Sequence, residues 1–481
     1  MPYSTRLPGG ALAFEAASSM GHLPTVTNER IRERLARYNR PDADMDFSRI
    51  EKLTGAADDL DQAIDPRIRY VVAVDGSNHE YEEAFDRYPS TRVLYLQIAG
   101  VFIDLEHMQK QSGPFVNPSR IAEATEASVV SGFLPGSFLE HEEYTDPVEA
   151  FRAELYDLFA TTEVQSGTLL NLMREVQRYG LPEDAAAAAR GEVVLPKCPN
   201  PACDLNESKL ARKANLTTPL KSTGTCPSCS CLLWATDTFR VYEDFRPDAS
   251  NGEVLGRVRD IIEHLVLLGV ALDLERRYPR LLNQTAFLYD GDLAVFGNSA
   301  RIFRGLLGSW QELWRRSRRR GQQPPLLLGI AKSGYPVEHF KGIQRAAEVA
   351  EPKRPVPIPP RSYMRIDDHY MKEVLRAQSL SETYYGRKFF YHAADGQHLV
   401  ITVPPAEGLA YAKQGEEGAD DPARFPTLRR TFEVLDRMGT HLYDDAVIPV
   451  SLAHNWAAYP LSNADKVLRV LTEQTLSRKG S

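Results

Sequence analysis

Ile68-Arg69-Tyr70-Val71-Val72-Ala73-Val74-Asp75-Gly76-Ser77 is the stretch on which the fold turns. Its β-branched and apolar residues predict a buried strand, and Asp-Gly-Ser predicts a turn at its C-terminal end. A second run, Arg92 to Ile103, predicts another strand. A polar loop separates the two, so a hairpin or meander is expected. Further along, Thr285 to Tyr289 predicts a strand that ends in the acidic turn Asp290-Gly291-Asp292. Pro325 to Lys332 predicts one more, and Arg387–His392 with His398–Val403 predict a hairpin around Ala394-Asp395-Gly396.

Helical patterns lie between these strands. Thr27-Asn28-Glu29-Arg30 opens a charged helix running toward Tyr38. Residues 147–178, 253–277, 300–320 and 426–438 also carry helical spacing, a strand is expected near Val447, and a terminal helix from about Asn463. Interleaved strands and helices favour an α/β class with a mixed sheet. The 481 residues suggest two to four units at about 150 residues each. The organisation expected is an N-terminal arm over 1–65, a discontinuous core over 66–192 and 241–481, and an insert over 193–240. No apolar run reaches the roughly 18 residues of a membrane span. The N-terminus lacks a secretory apolar region, so a cytoplasmic location is expected. A net charge of −8 argues against a protein that coats nucleic acid by bulk charge, but leaves room for a local basic groove.

All five cysteines fall inside the insert: Cys198, Cys203, Cys226, Cys229 and Cys231. Two knuckles, Cys198-x4-Cys203 and Cys226-x2-Cys229, supply four thiolates suited to Zn²⁺ as a zinc ribbon. Cys231 is a spare thiol that can stand in for Cys229. Four thiolates close the coordination sphere, so this metal is expected to be structural. The competing reading is a small β insert with reduced cysteines.

Asp75 and Asp290 each end an apolar run and precede Gly. Carboxylates at the ends of adjacent buried strands can share Mg²⁺ or Mn²⁺, which prefer oxygen ligands. Paired metal ions stabilise the attacking and leaving oxygens of phosphodiester hydrolysis. The bland reading is that Asp-Gly is ordinary turn chemistry. Glu263 is the third acid: Val266, Leu267 and Val270 place it on a face that should be buried, where a carboxylate needs a partner. Glu275, beside Arg276 and Arg277, reads instead as a solvated ion pair. His454 follows the apolar stretch Ile448 to Ala453, and Lys332 ends its strand as a phosphate contact or as a solvated strand end.

In this order, Val74-Asp75-Gly76-Ser77, a helix with an inward Glu263, Leu288-Tyr289-Asp290-Gly291-Asp292-Leu293, Gly329-Ile330-Ala331-Lys332-Ser333 and Ala453-His454 resemble the NurA nucleases. These work with a HerA-type hexameric DNA translocase. The resemblance spans most of 65–476 outside the cysteine insert. It implies an RNase H-like core that cuts DNA with Mn²⁺ or Mg²⁺, as an exonuclease and single-strand endonuclease. The metal-binding acids would be Asp75, Glu263 and Asp290. His454 would orient or protonate a reacting group, and Lys332 would hold the scissile phosphate. A homodimer, a HerA-type ATPase partner and a role in DNA repair or phage defence follow from the same resemblance.

Two departures stand out. Ala446-Val447 occupies the place of a Tyr-Pro pair often found before that His, and the acidic turn reads Asp-Gly-Asp where Asp-Gly-Ser is commoner. The sequence has no G-x-x-x-x-G-K-[ST], so the motor would be a separate chain. Arg315–Arg320 is either a guide for a phosphate backbone or a solvated helix end. The Pro-rich segment 352–360 and the ribbon are the candidates for docking the motor. The alternative function is a non-catalytic zinc-ribbon adaptor that binds protein or nucleic acid.

Overall fold

The computed structural model describes residues 3–6, 12–15, 23–38, 45–82, 90–110, 125–165, 167–207, 216–350, 356–377, 380–411, 418–439, 448–457 and 472. The chain divides into two compact units, Met1–Asp46 and Phe47–Ser481. In the first, Tyr3–Arg6 pairs antiparallel with Leu12–Glu15. The helix expected from Thr27 spans Glu29–Leu35, because the Asn28 side chain accepts from the backbone N–H groups of Arg30 and Ile31.

The second unit is built on a nine-stranded mixed sheet. Its strands are β1 (Thr54–Ala56), β2 (Tyr70–Glu82), β3 (Arg92–Asp104), β4 (Thr125–Pro135), β5 (Thr285–Asp290), β6 (Leu326–Ala331), β7 (Ser362–Arg365), β8 (Arg387–His392) and β9 (His398–Val403). In space they run β1-β7-β8-β9-β6-β5-β2-β3-β4. The central β6, β5 and β2 are parallel, and each flank continues antiparallel. The expected hairpins are the antiparallel pairs β2–β3 and β8–β9.

One expectation fails at a decisive place. β2 makes no turn at Asp75-Gly76-Ser77 and stays paired with β3 through Glu82. Gly76 serves close packing here, not chain reversal. A Cβ at 76 would collide with Glu263 Oε1, with Ile98 at 2.6 Å and with Arg259 at 2.8 Å. Only glycine lets the neighbouring helix come this near.

The helices of ten or more residues among the described residues are α1 (Pro147–Thr161), α2 (Leu169–Arg178), α3 (Gly252–Arg277), α4 (Phe303–Arg319), α5 (Tyr335–Ala350), α6 (Leu428–Met438) and α7 (Ile448–Ala457). The helical stretch expected over 147–178 is two helices, separated by a short antiparallel pair of Glu163–Val164 with Gly167–Thr168. The strand expected near Val447 lies outside the described residues, and Ile448 opens α7 directly after it. The terminal helix expected from Asn463 also lies outside them, Thr472 excepted. Among the described residues no helix is long and apolar enough to cross a membrane.

Side chains alternate across the sheet, so one strand feeds two cores. Val72, Val74, Ile98, Phe287 and Tyr289 join the core shared with α2, α3 and α4. Val71, Ala73, Ala286, Leu288 and Ile330 join the core shared with α6 and α7. Burial on both faces is what the parallel centre of a mixed sheet requires.

Candidate metal centres

The first centre follows from that alternation. β5 pairs in parallel with β2, and the last paired residues are Tyr289 and Val74. One step further lie Asp290 and Asp75, side by side. Both have the parity of Ala73 and Leu288, so both point to the α7 side. There α7 packs across β2 and β3 and presents His454, whose Nδ1 lies 2.8 Å from Asp75 Oδ2. The other Asp75 oxygen accepts from the Gly76 backbone N–H at 2.8 Å. Lys332, just beyond β6, donates to Asp290 Oδ2 at 2.6 Å.

Asp75, Asp290 and His454 each offer a ligand atom, and these atoms lie within 4.8 Å of one another. Asp75 is buried, whereas the His454 side chain is 60% exposed. The centre is therefore open on one side. Burial pushes the Asp290 carboxyl up, Lys332 opposes that, and the neighbouring Asp75 adds to it. Such a group of carboxylates is relieved by a cation.

Glu263 approaches from the opposite face. It sits on α3 against Gly76, is 2% exposed, and Oε1 has no hydrogen-bond partner among the described residues. Arg259 Nε lies 3.2 Å from that oxygen, also without hydrogen-bond geometry. Burial pushes the Glu263 carboxyl well above the ordinary range; Arg259 pulls it down, while Asp260, Asp75 and Asp290 push it further up. A buried, orphaned carboxylate oxygen beside two more carboxylates fits a divalent cation. Glu263 is outside the close set of Asp75, Asp290 and His454.

Other sequence candidates are committed elsewhere. Arg276 and Arg277, beside Glu275, pair with Asp273, and Glu275 pairs across to the end of α4. It holds Arg320 at 2.8 Å and Arg316 at 3.5 Å, at the far end of α3. Asp292 holds the Lys388 ammonium at 2.5 Å, and Lys388 is almost fully buried. The acidic turn marks Asp292 in the sequence, but nothing in the stretch around Lys388 marks it as the partner. The Arg315–Arg320 cluster is largely neutralised: Arg315 and Arg316 pair with Glu312, Arg318 with Glu407 and Arg320 with Glu275.

The second centre lies in the cysteine insert. Glu192–Leu195 pairs with Leu216–Pro219, and Gly224–Thr225 with Leu232–Leu233, all antiparallel. The thiol sulfurs of Cys198, Cys203, Cys226 and Cys229 lie within 4.8 Å of one another. Cys198 Sγ is 3.6 Å from Cys229 and 3.3 Å from Cys231, so the fifth thiol also touches the cluster. Burial pushes the Cys198 and Cys231 thiols up. At Cys229 burial acts the same way, but the Cys231 backbone N–H and neighbouring thiols outweigh it and hold the group at about 6. The donor set fits one tetrahedral Zn²⁺. The insert is not an appendage: Cys198, Cys203, Cys226 and Leu233 belong to the same apolar core as α3. Arg152 of α1 clamps it, donating to both Asp237 oxygens at 2.8 and 2.7 Å.

No protein-family model matches the chain. No curated protein matches it either. Among solved structures, the chain is similar to the crystal structure of the NurA nuclease from Sulfolobus solfataricus over 96% of each chain, with 11% sequence identity and a TM-score of 0.31. A likeness that distant bears on neither the fold nor the chemistry.

Proposed function

We propose that this chain is a divalent-metal-dependent DNA nuclease. The observation that carries the reading is the meeting of Asp75, Asp290 and His454 where the parallel pairing of β2 with β5 ends, next to the Lys332 ammonium. The strand order β4-β3-β2-β5-β6, three antiparallel then two parallel, supports an RNase H-like core. Asp75 and Asp290 would hold Mn²⁺ or Mg²⁺, with Glu263 reaching in from α3. When bound, the metal supplies charge stabilisation at the oxygens that attack and leave phosphorus.

The chain's own groups divide the remaining work. His454, exposed and hydrogen-bonded to Asp75, orients or protonates a reacting oxygen. Lys332 is held by Asp290 at the strand end, where an ammonium can meet a non-bridging phosphate oxygen. No side chain is needed as a covalent nucleophile. Cys198, Cys203, Cys226 and Cys229 form a structural zinc ribbon. The order of the sequence motifs extends the proposal to a cytoplasmic homodimer working with a HerA-type hexameric ATPase in DNA end processing or phage defence.

The test is cleavage of linear and single-stranded DNA with Mn²⁺ by the purified protein and by Asp75→Ala and Asp290→Ala. The wild type should cut, and each variant should lose at least about 10³-fold of the rate, the scale of losing several kcal/mol of charge stabilisation. Full activity in both variants would sink the site assignment. A wild type inert with and without the translocase would favour a zinc-ribbon adaptor.

A further inference from the structure

On the α3 side of the sheet, behind Asp75 and Asp290, Glu263 is flanked by polar side chains that the proposed reaction does not use. Asp260, Glu263 and His264 share one face of α3 at spacings of three and four residues. The His264 side chain is fully buried, and both ring nitrogens have partners. Tyr385 Oη lies 2.9 Å from Nδ1, and the Ala294 carbonyl oxygen lies 3.2 Å from Nε2. A carbonyl only accepts, so the ring proton sits on Nε2, and Nδ1 accepts from the Tyr385 hydroxyl. The ring also stacks on Tyr289 with centroids 4.1 Å apart, and the Tyr289 hydroxyl donates to Asp260.

Four segments thus meet at one imidazole. They are the helix carrying Glu263, the strand whose Tyr289 precedes Asp290, the loop through Ala294 that leads away from the acidic turn, and the approach to β8 through Tyr385. Apolar packing is non-directional. It lets a helix settle by a fraction of its rise of about 1.5 Å per residue. Hydrogen bonds at both ends of a ring do not allow that freedom. The loop is held in addition by the Thr402 hydroxyl, which accepts from the Leu293 N–H at 2.8 Å.

We propose that His264 is a positioning residue for the metal centre: through Tyr385, Ala294 and Tyr289 it fixes how far Glu263 stands from the Asp75–Asp290 pair. The proposal rests on the nuclease reading above. Its consequence is a loss of metal affinity that exceeds any loss of stability, because the pieces it aligns are each held in the fold by other contacts.

The experiment is Mn²⁺ titration of the purified full chain, followed by electron paramagnetic resonance of free Mn²⁺ and by cleavage rate. It uses His264→Phe, His264→Gln, Tyr385→Phe and, as a packing control, Ile262→Val. Partners that orient metal ligands typically contribute about 10- to 100-fold in affinity. His264→Phe should weaken Mn²⁺ binding at least about tenfold. Tyr385→Phe, which removes one hydroxyl and keeps the fold, should shift it the same way, and His264→Gln should recover part of the loss. Ile262→Val should lower the melting temperature slightly and leave Mn²⁺ binding alone. Unchanged Mn²⁺ binding in folded Tyr385→Phe, or an equal loss in Ile262→Val, overturns the proposal. If the wild type neither binds Mn²⁺ nor cuts DNA, the nuclease reading itself falls. If the wild type does both and only the His264 and Tyr385 variants fail to differ, the nuclease reading stands without this part.

Discussion

The two candidate centres are built on opposite plans. The thiol centre is assembled from one short stretch of chain, uses a single donor type, and has three of its four sulfurs buried within the core that α3 also joins. The carboxylate centre takes Asp75, Asp290 and His454 from two strands and a helix far apart in sequence, mixes oxygen with nitrogen, and leaves His454 facing solvent. Without an ion, the first leaves a knot of thiols in an apolar core. The second leaves a sheet whose backbone pairing is already complete. The difference separates an ion that belongs to the fold from one that the fold carries for use.

The largest expected effect breaks that symmetry directly. Structural zinc in small domains contributes roughly 10 kcal/mol or more to folding. Cys203→Ser should therefore abolish stoichiometric zinc and open the insert, seen as new protease cleavage within 193–240 and a clear fall in the melting temperature. Asp75→Asn should instead leave the melting temperature within about 3 °C of wild type, the scale of a substitution that removes no packing. Its loss should appear in Mn²⁺ binding and cleavage. If Cys203→Ser keeps both its zinc and its stability, the thiol centre is not a metal site and the contrast collapses.

The same contrast explains what could be read from the sequence. The thiol centre was legible because its ligands are close together along the chain, so spacing alone carries the geometry. The strands bearing Asp75 and Asp290 were legible too, as apolar runs ending in an acid. Their adjacency was not, because parallel pairing is set by crossovers through α3 and by register, which no local pattern encodes. Asp-Gly at 75–76 was misread as a turn because glycine serves two ends: it reverses chains, and it admits close neighbours. Here the neighbour is Glu263, and the reason for the glycine lies on a helix nearly two hundred residues away. Glu275 and the arginines at the end of α4 divide on the same point. The Glu312 pairs of Arg315 and Arg316 fall at spacings of three and four, within reach of a local charge pattern, whereas the Arg320–Glu275 pair joins the end of α4 to α3 and is not encoded locally.

A smaller effect sharpens the border of the carboxylate centre. Asp292 lies two residues from Asp290, yet its carboxylate is spent on the buried Lys388 ammonium. Asp292→Asn keeps a hydrogen-bond acceptor but removes the counter-charge, so a loss of about 1–3 kcal/mol is expected in urea denaturation. Half-saturation by Mn²⁺ should not move. A tenfold weakening of Mn²⁺ with unchanged stability would make Asp292 a ligand, and the centre would hold three carboxylates, those of Asp75, Asp290 and Asp292.

The smallest expected effect concerns the arginines. A basic helix end invites the idea of a path for DNA between the two centres, but Arg315 is already held at 2.5 Å by Glu312, and Arg318 lies 3.6 Å from Glu407. Exposed pairs of this kind contribute about 0–1 kcal/mol each, so stability should barely register their loss. A residue that contacts a phosphate, by contrast, contributes close to one unit to the slope of log affinity against log salt. The double variant Arg315→Gln/Arg318→Gln should leave that slope for single-stranded DNA unchanged. A fall of about two units would mean that Glu312 and Glu407 release their arginines to the backbone.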